Sequence, residues 1–175
     1  MFYPTLGAMS HVKFRRSLLP VAILGSFLAV ALVAAVGCPD AHAGEVPVAY
    51  VQFNPGASGD EQELLAFAAE HIAERAAVPK RIEILEALPL TPVGKIFKPA
   101  LQQREIAQVV RLEAERNGLA GIAVEVVQDA RRGLVVQLTA APDQERLAAA
   151  LGRYSFQVEW LPPSPAIAAS NAGSQ

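Results

Sequence analysis

One lysine is set apart by its neighbours. Lys95 lies in the stretch Leu88-Pro-Leu-Thr-Pro-Val-Gly-Lys-Ile-Phe-Lys98. There Pro89 and Pro92 fix φ near the value a turn needs and remove two backbone donors, and Gly94 can take a left-handed conformation closed to other residues. This spacing predicts a stiff loop with a single ammonium at its tip. What such a group offers is electrostatic: a compact positive charge on a flexible stem. The other reactive side chains point to no second chemistry. Cys38 is the single cysteine, so no intrachain disulfide or cysteine-based metal cluster can form, and its surroundings make it a small apolar strand-end residue. His11, His42 and His71 are far apart, with no carboxylate or second histidine at ligand spacing, so no metal site is expected. Lys80 reads as a solvated turn residue, Lys98 as a charge opening a helix, and Glu45 as a loop-end charge. No residue is assigned an acid–base or nucleophilic role.

A Gly-Lys pair alone has little specificity in a chain with twelve glycines, and the order of motifs around it supplies more. Gly37-Cys-Pro-Asp40 comes first. It is followed by Gly44-Glu-Val-Pro-Val-Ala-Tyr-Val51, a helix-like segment ending in Val78-Pro-Lys-Arg-Ile-Glu83, and then the lysine loop. Over residues 29–101 this order resembles the small C-terminal domain of the acyl-adenylate-forming (AMP-binding) enzymes, and most of all that of an acyl- or aryl-CoA synthetase. The resemblance implies that Lys95 is the catalytic adenylation lysine, that Gly94 positions its loop, and that the domain enters the active site in one orientation before swinging to another for thioester formation. It also implies ATP with Mg, coenzyme A and a carboxylic acid as reactants. When a carboxylate attacks the α-phosphate, two anions meet and charge builds on the oxygens and the departing pyrophosphate. One ammonium near 4 Å is worth about 4 kcal/mol at an effective dielectric of 20.

The same resemblance limits the chain. The Ser, Thr and Gly-rich phosphate loop, the adenine pocket and the acyl pocket belong to the family's large N-terminal domain, and no counterpart is visible here. That large domain is the expected partner. The isolated chain is expected to hold no cofactor and to form no adenylate. Two departures bear on coenzyme A: residues 1–28 show no glycine-rich hinge, and Ala76-Ala77 replaces the family's aromatic-lysine pair before Val78-Pro79.

The elements that must position Lys95 follow from local pattern, and the fold class they predict is α+β: a small mixed sheet with packed helices plus an αββαβ extension. The family resemblance implies a buried aliphatic strand at residues 29–36, and residues 46–53 read as a second strand. Asp60 and Glu63 form an N-cap and capping-box pair that opens a helix expected to run to just before Pro79. Residues 81–86 alternate as a strand. A second helix runs from Pro99 to Arg116, where Asn117-Gly118 gives a left-handed stop. Residues 122–127 and 134–138 read as a hairpin, Asp143 as the cap of a short helix, and Tyr154, Phe156, Val158 and Trp160 as a last strand. Either Ile96 or Phe97 should anchor the lysine loop. Four segments result: an unmatched apolar leader over residues 1–28, the family-like domain over 29–101, the extension over 102–161, and a disordered Pro, Ala and Ser tail over 162–175. No sequence repeat is visible.

With 175 residues, 52% of them hydrophobic, and a net charge of −2, the chain suits one modest core and carries no basic footprint for nucleic acid. Its N-terminus reads in two ways. Lys13-Phe-Arg-Arg16, the uncharged residues 18–36 and Ala41-His-Ala43 imitate a signal peptide or a membrane segment. Cleavage after Ala43, however, would delete the family's first strand. The preferred expectation is a cytoplasmic chain that begins inside a longer gene, through truncation, a frame shift or a misplaced start. The alternative is a membrane-anchored or exported binding module that reuses the fold.

Overall fold

Apolar β-formers and turn chemistry build the first hairpin. The computed structural model describes residues 29–119, 121–139 and 144–162, so the Asp143 cap, the leader over 1–28 and the tail beyond Pro162 lie outside the described residues. Strands β1 (Val30–Asp40) and β2 (Gly44–Phe53) pair antiparallel from Asp40↔Gly44 to Val30↔Phe53. At their turn, one carboxylate oxygen of Asp40 accepts the N–H groups of His42 and Ala43 at 2.9 and 2.8 Å. These bonds hold the Asp40 carboxyl below its usual range. Gly37, Cys38 and Pro39 are thus the end of β1, and Asp40 supplies the turn chemistry.

Helix α1 (Glu61–His71) opens where predicted, with the Asp60 side chain accepting from the N–H groups of Gln62 and Glu63. It ends earlier than expected. Ile72 is extended, and a single 3-10 turn at Arg75–Ala77 replaces the last two turns. Tertiary pairing overrides local helix preference here: the chain must turn back so that the Lys80 N–H reaches the Pro47 carbonyl at 2.8 Å. Strand β3 (Ile82–Ile84) then lies parallel to β2, with Ala49 opposite Ile82. It is shorter than residues 81–86 because the chain leaves the sheet after Leu85 donates to the Val51 carbonyl.

Helix α2 (Lys98–Arg116) follows the lysine loop and closes as a Schellman motif: Gly118 has φ +81°, Leu119 donates to the Ala114 carbonyl, and Gly118 donates to that of Glu115. Strands β4 (Val124–Asp129) and β5 (Gly133–Thr139) form the second hairpin. Helix α3 (Gln144–Leu151) leads to β6 (Gln157–Leu161), which runs parallel to β5. The strand orders are β1-β2-β3 and β4-β5-β6, so each sheet is a hairpin, a crossover helix and a parallel strand. The topology repeats although the sequence does not.

Helix α2 serves both sheets. Its Leu101 packs with Ala34, Val36, Val48, Tyr50 and Leu88 on one face of the first sheet, while Leu64 of α1 covers Ala49, Val51 and Ile82 on the other. Farther along, Ile106, Val110 and Ala114 join Val136, Leu138, Leu147 and Leu151 in the second core. Burial of each such Leu or Val side chain contributes about 1.5–3 kcal/mol. The boundary at residue 101 falls inside this continuous helix.

The first strand differs from its expectation. β1 is an antiparallel edge strand with alternating exposure: Ala34 and Val36 point into the core, whereas Val33, opposite Val51 on the face that α1 covers at β2 and β3, is 55% exposed. Residues 30–36 are thus extended, so the described part of the apolar run over 18–36 is not a membrane helix. Among the described residues, no helix is long and apolar enough to cross a membrane.

Candidate functional site: the lysine hairpin

The stretch that carries Lys95 is a miniature hairpin. Leu90 and Ile96 form an antiparallel bridge, and the Phe97 N–H donates to the Pro89 carbonyl at 2.7 Å. Inside it, Thr91-Pro-Val-Gly94 makes a β-turn, with the Gly94 N–H donating to the Thr91 carbonyl at 2.8 Å. Pro92 supplies the preset φ at the second position. Among the described residues only glycines have positive φ, so Val93 keeps an ordinary conformation and the turn is of type I, followed by Gly94 at φ +77°. A type I turn followed by a left-handed residue is the three-residue hairpin with a glycine bulge. A side chain on Gly94 would meet no atom within 4 Å, so its constraint is the backbone conformation itself.

Lys95 is the first residue after the bulge. Its carbonyl accepts the Thr91 N–H at 2.7 Å, and its own N–H donates to the Thr91 hydroxyl at 3.1 Å. The side chain is exposed, and among the described residues its ammonium makes no ion pair. Of its neighbours, Ile96 anchors the hairpin against the first core, whereas Phe97 stays largely outside. Leu90, Val93 and Phe97 are three of the five exposed large hydrophobics among the described residues, and Val93 is 79% exposed. The hairpin thus exposes one unpaired cation together with three large apolar side chains.

The root of the hairpin is fastened by charges that sequence reasoning missed. Glu105 of α2 is fully buried. Nη2 of Arg81 lies 2.7 Å from both of its carboxylate oxygens, and the Tyr50 hydroxyl donates to one of them. Nη1 of Arg81 contacts Glu83 at 2.6 Å, and Glu83 in turn pairs with Arg104 of α2. Four charges of alternating sign thus link β3 and its entry to the first half of α2, the two stems of the lysine segment. Gln52 adds a further tie by accepting the Leu88 N–H at 2.8 Å. The available signal was a carboxylate within the apolar stripe of α2, one residue before Ile106 and four after Leu101.

This cluster governs the titration of its members. Burial tends to lower the Arg81 pKa, but the Glu105 charge and hydrogen bonds outweigh it and the pKa ends raised. Burial, reinforced by the Glu105 hydrogen bond, pushes the Tyr50 hydroxyl up, and the same two causes push the Cys38 thiol up to about 12. Cys38 is accordingly a protonated, inert thiol at neutral pH. The remaining candidates stay apart from Lys95. Lys80 and Lys98 are exposed, and Glu45 lies against Gly37, where any side chain would collide with its carboxylate. His71 contacts the Phe67 carbonyl and stacks on its ring. Ala76 and Ala77 are exposed and offer neither a ring nor a charge. Among the described residues, no three His, Cys, Asp or Glu side chains are grouped to hold a metal ion. An open groove of about 640 Å³ runs between residues 85–89 and α2, but its cation, Arg104, is already paired with Glu83.

Residues 22–95 match the family described as the AMP-binding enzyme C-terminal domain. That segment is an AMP-binding enzyme C-terminal domain. The chain is also similar to the marinolic acid–CoA ligase of Pseudoalteromonas sp. (strain SANK 73390), at 36% identity over 133 residues, covering 75% of this chain and 20% of that protein. A long-chain-fatty-acid–CoA ligase of Bacillus subtilis (strain 168) is 39% identical over 77 residues, covering 44% of this chain and 14% of the relative. Among solved structures, a Brucella canis acyl-CoA synthetase matches at 30% identity with a TM-score of 0.42, covering 51% of this chain and 18% of that one. The chain spans about a fifth or less of the length of these relatives. The longest of these alignments also takes in part of the extension beyond the C-terminal domain match.

Two outcomes follow from the charged root. Arg81→Ala leaves Glu105 buried without its cation and should destabilise the fold by roughly 3 kcal/mol, the low end for a broken buried pair because Arg81 is about one third exposed; an unchanged urea midpoint would contradict this. A raised thiol pKa favours the protonated form, so native Cys38 should resist iodoacetamide at pH 8.5 and react only on unfolding, with stability present below pH 9 and falling as pH rises toward 12. Rapid labelling of the native chain would refute it.

Proposed function

We propose that this chain acts as the mobile C-terminal lid of an ATP-dependent acyl- or aryl-CoA ligase, and that Lys95 supplies the positive charge for carboxylate adenylation. The observation that carries the proposal is the exposed, unpaired Lys95 ammonium on a hydrogen-bonded hairpin that also exposes Leu90, Val93 and Phe97. Exposed apolar side chains together with one charge suit a tip that inserts into another surface. The relatives named as CoA ligases point to the same chemistry.

In this reading a large adenylation domain, joined or supplied in trans, holds ATP with its Mg and the carboxylic acid. The Lys95 ammonium approaches the oxygens between the acid and the α-phosphate. It offsets the repulsion of the incoming carboxylate and the charge that develops as pyrophosphate leaves. The hairpin is already ordered, so only the lysine stem has to be fixed on docking. Ala76 and Ala77 give coenzyme A no ring or charge to contact at that turn, so no coenzyme A contact is assigned to them.

The chain alone should form no adenylate. Mixed with a matching large domain that lacks its own lid, it should restore acid-dependent pyrophosphate release, and Lys95→Ala should lower kcat of the pair by about 10²–10³. Pyrophosphate release by the chain alone, or a pair indifferent to Lys95→Ala, would overturn the proposal.

A further inference from the structure

The glycine bulge creates a local problem for the backbone of Lys95. In a regular narrow pair, Thr91 and Lys95 would exchange two backbone hydrogen bonds. Only one is made, from the Thr91 N–H to the Lys95 carbonyl, because the Thr91 carbonyl is taken by the Gly94 N–H that closes the turn. The Lys95 N–H is thus displaced from its normal acceptor, and the Thr91 hydroxyl receives it at 3.1 Å. A single residue therefore closes three of the hairpin's bonds: one through its N–H, one through its carbonyl and one through its side chain. The third is the only one that depends on side-chain chemistry. It acts on the peptide plane that leads into the Lys95 Cα, and so on the direction in which the Cα–Cβ bond leaves the hairpin. A long flexible side chain multiplies any rotation of that bond into a displacement of its ammonium.

We propose that Thr91 is a positioning residue for Lys95. Its hydroxyl fixes the lysine backbone so that the ammonium emerges at the docking angle needed for adenylation. The inference rests on the adenylation reading of Lys95. The position is already extended by the proline that follows it, which leaves the hydroxyl as the feature that distinguishes threonine from valine there. Valine has nearly the same shape and lacks the acceptor. Serine keeps the acceptor and loses only the methyl group.

Thr91→Val and Thr91→Ser, made in the full chain, separate this role from simple packing. In Thr91→Val the amide hydrogen of Lys95 should exchange about tenfold faster, as expected when one ordinary hydrogen bond is removed. That of Gly94 should keep its wild-type rate, since its acceptor is backbone. With the large domain, kcat for adenylation should fall by about tenfold with KM for ATP unchanged, because the nucleotide is held elsewhere and only the approach of the cation is altered. Thr91→Ser should return both the Lys95 exchange rate and kcat close to wild type. Unchanged exchange at Lys95 in Thr91→Val overturns the assignment. So does faster exchange with an undiminished kcat, provided Lys95→Ala abolishes activity in the same assay. If Lys95→Ala itself has no effect, it is the adenylation reading that fails, and the positioning role fails with it.

Discussion

Nη2 of Arg81 sits midway between the two oxygens of a carboxylate that has no access to water, and the placement of the lysine hairpin follows from that contact. Burying Glu105 costs several kcal/mol unless a cation and hydrogen bonds replace its hydration. Arg81 and Tyr50 provide both, and they do so from the chain before β3 and from β2, while Glu105 itself belongs to α2. The pair therefore welds the two stems between which residues 85–97 run. Such pairs are weak sources of net stability but strict about geometry: any shift of α2 along the sheet would strand a charge. The helix so fixed is the one that also fills the second core, so the extension is held through the same element.

Electrostatics and order then act together at the tip. An ammonium near an oxyanion gains about 4 kcal/mol at intermediate dielectric, whereas immobilising a lysine side chain costs about 2 kcal/mol of rotamer entropy. The balance is favourable only if the backbone beneath the side chain need not also be ordered, which would cost a further 1–2 kcal/mol for each residue fixed. The turn bond, the glycine bulge, the Thr91 hydroxyl and the Leu90–Ile96 bridge meet that requirement in advance.

How much of this was legible in the sequence depends on the range of the interaction. Pro92 and Gly94 gave away a rigid corner because their φ preferences are intrinsic, and Asp60 and Gly118 marked helix ends for the same reason. Glu105 gave a weaker signal, its place within the apolar stripe of α2, because its partner is 24 positions away and local pattern cannot name it. The early end of α1 was hidden because its cause is the contact of Lys80 with Pro47 in another strand. The aliphatic run of β1 was expected as a buried strand, and only one of its faces is buried. An edge strand with one uncovered face carries the same residues, and only the strand order separates the two cases. The repeated topology was invisible because a hairpin, a helix and a strand can be written in unrelated sequences.

The central claim is that the Lys95 ammonium meets an anion held by another polypeptide segment. Its most direct test is side-chain NMR of the chain labelled at the lysine Nζ. With Lys95 assigned by substitution among the four lysines, the labelled chain would be added to a large domain loaded with ATP and an unreactive acid analogue. The account predicts a pronounced shift and slowed proton exchange of the Lys95 ammonium alone, with Lys80 and Lys98 unmoved. A complex that forms while the Lys95 signal stays at its free position would contradict it.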